Sequence, residues 1–200
     1  MKVLVSFCAA VLCAAVLISL CPVRGEEGIY ENMIRLHVLA ESDSPADQAR
    51  KLQVRDAVLA VLAERMREAV DHEDAAAAVS GMMKEIEAAA RETTAGACTV
   101  RVELGKERYP VRVYGNYTLP AGEYTSLRVI LGEGQGQNWW CVLFPQLCTA
   151  GATENEVYED FIAAGFTPEQ YRLIRNESGV RYKIRFRLLE ILAQWTGMEY

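Results

Sequence analysis

Two histidines, His37 and His72, and three cysteines beyond residue 25, Cys98, Cys141 and Cys148, are the side chains best suited to covalent or metal chemistry. Neither histidine has a second His, Cys or carboxylate at metal-ligand spacing, so the sequence offers no zinc site. One catalytic arrangement remains: an exported thiol or serine hydrolase acting on cell wall or peptide, with Cys141 as nucleophile and His37 as base. Nucleophile and base need only meet in space. A strand histidine hydrogen-bonded to its neighbours is the plainer reading of His37. There is no Gly-x-Ser-x-Gly elbow, and Asp43-Ser44-Pro45 lacks the glycine of an aspartic-protease loop. The run Gly132-Glu133-Gly134-Gln135-Gly136 lacks both the spacing and the Lys-Ser/Thr of a phosphate cradle, and it reads as a flexible loop between strands. No catalytic residue, cofactor or metal is expected.

Binding is the chemistry that the remaining residues suit. Trp139 and Trp140 are adjacent, so on a strand one points to each face; one is core and the other is an interface anchor. Cys141 and Cys148 lie seven apart around Pro145, a spacing compatible with a disulfide, although all three cysteines also suit buried thiols. Arg181, Lys183, Arg185 and Arg187 crowd one stretch, as a solvated face, a contact for anionic headgroups or a patch for an acidic partner. The net charge of -6 argues against general nucleic-acid binding.

These residues must be positioned by a folded domain beyond an apolar leader. No charge falls between Lys2 and Arg24, long enough to cross a hydrocarbon core that takes roughly 20 helical residues. Val23 and Gly25 suit the -3 and -1 positions of a cleavage site. Residues 1–25 therefore read as a signal peptide or N-terminal membrane anchor. Residues 30–200 read as a single extracytoplasmic domain, with a core at 30–148, a variable segment at 149–180 and a terminal helix at 181–197. That helix rests on the spacing of Ile184, Leu188, Ile191 and Trp195.

Within the core, residues 34–40 alternate apolar and polar, a half-buried strand with Arg35 and His37 on its open face. Ser44, Pro45 and Asp47 then form a helix start. Apolar residues at spacings of three, four and seven predict a helix to about Val70. Asp71 and Asp74 cap a second helix, antiparallel to the first, ending at Gly96. Strands follow through Leu104, then through Val111 and Val113 after a turn at Gly105-Lys106-Glu107, then from Tyr124 to Leu131 and Trp139 to Phe144. A third capping pattern stands at Thr167-Pro168-Glu169-Gln170. The expected class is α+β, two antiparallel helices on a mainly antiparallel sheet of about five strands, with a C-terminal amphipathic helix.

Three blocks carry a family resemblance. Residues from Ile34-Arg35-Leu36-His37 through Ser44-Pro45-Ala46-Asp47-Gln48 to Lys51-Leu52-Gln53-Val54-Arg55-Asp56-Ala57-Val58 resemble the opening of the stage II sporulation protein R family. Tyr109-Pro110-Val111-Arg112-Val113-Tyr114-Gly115 with Gly122-Glu123-Tyr124, and Gly136-Gln137-Asn138-Trp139-Trp140-Cys141-Val142-Leu143-Phe144-Pro145, resemble its middle and its Trp-Trp-Cys segment. Gln146, where a second proline is expected, departs from the pattern. The resemblance implies an intercompartmental signal, exported from the forespore into the space between its membrane and that of the mother cell. There it activates a membrane-embedded aspartic protease that processes pro-sigma E, as an activator rather than an enzyme. Arg35, His37, Asp43, Trp139 and Trp140 are the partner-contact candidates, with membrane contact through the leader or the basic terminal helix.

Overall fold

The computed structural model describes residues 27–147 and 154–175, besides Val11. The leader, Cys148, and the terminal helix at 181–197 lie outside these residues. Among the described residues the order is α1 (Glu27–Glu31), β1 (Ile34–Leu39), α2 (Pro45–Glu68), α3 (His72–Gly81), α4 (Met83–Thr94), β2 (Val100–Tyr109), β3 (Arg112–Tyr114), β4 (Tyr117–Leu119), β5 (Gly122–Leu131), β6 (Asn138–Phe144), α5 (Glu154–Ala163) and α6 (Pro168–Arg175).

The fold is α+β. Four strands form one sheet in the order β2-β5-β1-β6, while β3 and β4 form a separate hairpin. β1 is parallel to β5 and antiparallel to β6, and β2 is antiparallel to β5. The first strand of the domain is therefore interior to the sheet. Directly opposed residues share a face, so Leu36 lies with Leu127 and Cys141, and Val38 with Val129 and Trp139. Helices cover that face: Val54, Val58, Leu62 and Met66 of α2, Val79 of α3 and Ile86 and Ala90 of α4 are buried in one cluster with Leu36 and Val38.

The capping residues position α2 as the sequence indicates. Ser44 Oγ accepts from the backbone N–H of Asp47 at 3.1 Å, with Pro45 in the first turn. The hydroxyls of Ser42 and Ser44 both donate to the Asp47 carboxylate and hold its pKa below the usual value. Ser44→Ala is expected to lower stability by about 1 kcal/mol, read as a shift of the urea midpoint with an unchanged slope. Asp71 caps α3 in the same way, its carboxylate accepting from Asp74 N at 2.9 Å. Thr167 and Gln170 form a reciprocal box, Gln170 N donating to Thr167 Oγ1 at 3.1 Å and Thr167 N to Gln170 Oε1 at 2.8 Å.

Two elements differ from the sequence expectation. The helix after Asp71 is broken into α3 and α4 around Met82, next to Gly81, where the chain leaves helical geometry for one residue. Residues 105–107 do not turn. β2 passes straight through them, because its partner is the ten-residue β5, with which it pairs from Val100 opposite Leu131 to Tyr109 opposite Gly122. The turn at Gly115 is present, in the left-handed conformation that glycine adopts without Cβ strain.

Candidate functional site

The second face of the sheet carries the polar residues, and it is closed. Register places Arg35 beside Ser126, and His37 between Arg128 and Trp140; across β5, Tyr124 stands opposite Glu107. The β3–β4 hairpin lies against this face, bringing Arg112 and Tyr114 to it. Tyr117 of the hairpin in turn packs on Phe161 of α5 and Tyr171 of α6, with ring centroids 6.5 and 6.3 Å away. Alternation points to an open face for Arg35 and His37; instead they are 0% and 5% exposed. A two-residue period reports that the faces differ in polarity, while the cover comes from residues more than 60 positions along the chain.

Arg35 sits among three tyrosines. Its guanidinium carbon is 4.3 Å from the ring centre of Tyr109, 5.0 Å from Tyr124 and 5.4 Å from Tyr114. Nε donates to the Cys141 carbonyl at 3.2 Å and Nη2 donates to the Tyr114 hydroxyl. Beside it, His37 Nδ1 is 2.9 Å from Glu107 Oε1, and Ser126 Oγ donates to Glu107 Oε2 at 2.7 Å. The Tyr109 hydroxyl is 2.7 Å from Ser126 Oγ. Burial opposes ionisation of Glu107, but the hydrogen bonds from His37 and Ser126 and the charge of His37 prevail, taking its pKa from 4.5 down to about 2. Burial pushes the Tyr109 phenol upward, so it remains neutral.

This geometry bears on catalysis. In a hydrolytic triad the histidine stands between nucleophile and acid, whereas here the carboxylate stands between Ser126 and His37. Ser126 gives its hydrogen to Glu107, whose carboxylate, with its pKa lowered to about 2, is a weak base, and His37 binds the other oxygen of that carboxylate. The Cys141–His37 arrangement fails on two grounds. Cys141 shares the helix-covered face with Leu36, opposite His37, and its sulfur is in a disulfide. Cys148, the partner expected for it, lies outside the described residues, and Cys98 is a free thiol. No group of His, Cys, Asp and Glu among the described residues is arranged to hold a metal.

The other candidates divide between the two faces. Trp139 and Trp140 point oppositely, as adjacent strand residues must, and both are half-buried. Trp139 carries the guanidinium of Arg55 at 5.1 Å from its ring, on the α2 side, and Trp140 carries that of Arg112 at 3.3 Å. Asp43 is exposed, and its carboxylate accepts from Gln137 N at 2.7 Å. Asp43, Trp139 and Arg55 thereby share one end of the molecule. The glycine-rich loop beside them is pinned: Gly136 N donates to the Ala40 carbonyl at 2.9 Å, Gly132 N to that of Thr99 at 2.8 Å, and Lys51 Nζ to that of Gln137 at 2.9 Å. An apolar cleft of about 230 Å³ between α2 and β6, lined by Leu59, Leu62, Met66, Val142, Leu143 and Gln146 among others, contains no ionisable side chain.

Glu107, Tyr109, Arg112, Tyr114, Tyr124 and Ser126 also belong to the closed cluster, and no motif in the sequence singles them out. For Glu107 and Tyr109 the signal is the even spacing of Glu103, Gly105, Glu107 and Tyr109, which continues one strand face through a stretch that resembles a turn. The fold and the cluster define a small α+β domain with a largely buried network of Arg35, His37, Glu107, Tyr109 and Ser126 on one face of its sheet.

The family model for stage II sporulation protein R matches residues 30–154, a span containing β1 to β6 and α2 to α4. The chain belongs to this family. It is 38% identical over 135 residues to stage II sporulation protein R of Bacillus subtilis strain 168, covering 66% of this chain and 60% of that protein. The match thus spans a little under two thirds of the relative's length. No solved structure matches the chain.

Proposed function

We propose that the chain is an exported signalling protein of sporulation, which crosses the forespore membrane and activates a membrane-embedded aspartic protease of the mother cell to process pro-sigma E. The observation that carries this reading is the family match across the whole sheet. Two further features favour binding over turnover. The Ser126–Glu107–His37 order gives the serine a weak carboxylate base in place of a histidine, and Cys141 has no free thiolate. As an activator, the domain must bind the active state of the protease more tightly than the inactive one, because equal affinity shifts no equilibrium. Asp43 and Trp139 are the partner-contact candidates best placed to be touched, being exposed and half-buried respectively at one end of the domain. Arg35 and His37 support the opposite face from within.

The test is co-expression of this protein with the protease and the sigma precursor. Processing is expected only when all three are present. Equal processing without this protein would overturn the proposal. Asp43→Arg combined with Trp139→Ala is expected to reduce processing at unchanged protein level, which circular dichroism and immunoblotting check.

A further inference from the structure

Three buried nitrogen atoms of the closed cluster have no hydrogen-bond partner: Arg35 Nη1, His37 Nε2 and Arg112 Nε. All three belong to the same side of the sheet. Arg112 lies on Trp140, whose ring centre is 5.3 Å from that of His37 and 6.4 Å from that of Tyr109, and Tyr109 is the ring beneath Arg35. The charges there do not balance. Arg35 and Arg112 each bring a fixed positive charge, and the acid of the cluster, Glu107, spends one oxygen on His37 and the other on Ser126. Among the described residues neither arginine is in an ion pair with a carboxylate. Buried polar groups are almost always hydrogen-bonded and buried charges paired, while the aromatic faces around the arginines supply attraction but no acceptor.

The geometry points to a carboxylate-binding site at Arg112 and Arg35, taking an acidic group of a partner polypeptide that enters beside Trp140. A carboxylate matches a guanidinium fork in shape and charge, and it accepts from two or more N–H groups at once, which the free positions on the two arginines and His37 provide. A cation is repelled here, and an uncharged group leaves the surplus charge in place. Entry is from the hairpin side, where Arg112 and Trp140 are each partly exposed and the Glu107 side chain is 19% exposed. The hairpin bearing Arg112 is a two-stranded unit outside the main sheet, joined to this face by the Arg35–Tyr114 hydrogen bond and the stacking of Arg112 on Trp140. This inference does not depend on the signalling proposal.

The test follows the arginine Nε–Hε signals of the full-length chain by NMR. N-acetylglycine supplies a terminal carboxylate, N-acetylglutamate amide a side-chain carboxylate, and sodium chloride at equal ionic strength is the control. Saturable shifts at Arg35 and Arg112 are expected with one or both carboxylates, and the stronger of the two identifies a chain end or an acidic side chain as the source. Arg112→Gln is expected to weaken binding about tenfold, the loss of one hydrogen bond to a charged group. Arg112→Lys keeps the charge on an exposed hairpin and is expected to retain part of the affinity, which guards against a folding defect in the first variant. Unmoved signals, shifts matched by chloride, or affinity unchanged in both variants would overturn the assignment. The readout is binding alone, so its failure is separate from failure of the processing experiment.

Discussion

Glu107→Ala is expected to lower stability by about 2–4 kcal/mol, the cost of removing the acceptor from a buried network and leaving its donors and cations uncompensated. The carboxylate satisfies His37 with one oxygen and Ser126 with the other, and its charge is the counterpart of His37. Glu107→Gln keeps the shape and one acceptor, and its loss is expected to be smaller. The two variants also separate the pH dependence. The pKa of Glu107 is depressed from 4.5 to about 2, so its contribution is complete above the unfolded value of 4.5 and drains away as pH falls toward 2. Discounted for partial exposure, that contribution is about 1–2 kcal/mol. Urea unfolding at pH 7 and at pH 3, followed by tryptophan fluorescence, should show the wild type losing roughly half or more of this amount beyond what Glu107→Gln loses, because at pH 3 the folded carboxylate is still mostly ionised. Equal losses would remove Glu107 from the account.

Gly136→Ala is expected to cost about 2–4 kcal/mol, more than most substitutions that add a single methyl group. A Cβ at this position would stand 2.3 Å from the backbone oxygen of Ser42 and 2.5 Å from its carbonyl carbon, atoms that cannot swing aside as a flexible side chain does. Relief requires separating the two loops, which strains the Gly136–Ala40 bond, the Gln137–Asp43 bond and the Lys51–Gln137 bond together. Gly132→Ala is the contrast. There the atoms nearest the new methyl group belong to the flexible side chain of Glu41, and the expected cost is about 1 kcal/mol, from the left-handed backbone. Thermal unfolding of both variants checks the order; a Gly136 variant as stable as the Gly132 one would show that the loops separate at little cost.

The parts of the fold set by local chemistry were readable in the sequence. Ser44, Asp71 and Thr167 announce helix starts because a cap is made by residues three apart, and Gly115 announces a turn for the same local reason. What covers a face is not local. Arg35 reads as solvent-facing until Tyr114 and Tyr109, more than 70 residues later, are folded over it. Glu107 reads as a turn residue because Gly-Lys-Glu between two apolar runs commonly is one, and only the length of β5 decides otherwise. The glycine-rich loop looks free for the same reason: its restraints are backbone carbonyls of Ala40 and Thr99, and carbonyls have no sequence signature. Of the candidate contacts, the opposite facing of the two tryptophans follows from strand geometry, whereas the closeness of Asp43 and Trp139 follows from which strands pair.

The interior position of β1 also dictates an order of events. Its neighbours are β5 and β6, so the strand made first has no partner until residues 122–144 exist. Contacts of such long sequence separation form slowly, since loop closure precedes any gain from pairing. A chain emerging N-terminus first can therefore build α2 to α4 early but must wait for its last sheet strand before β1 is flanked on both sides. Until then Ile34, Leu36 and Val38 form an open strand edge of the kind that invites wrong pairing. Shortened chains ending before Phe144 are consequently not smaller versions of this domain, because they lack what closes its centre.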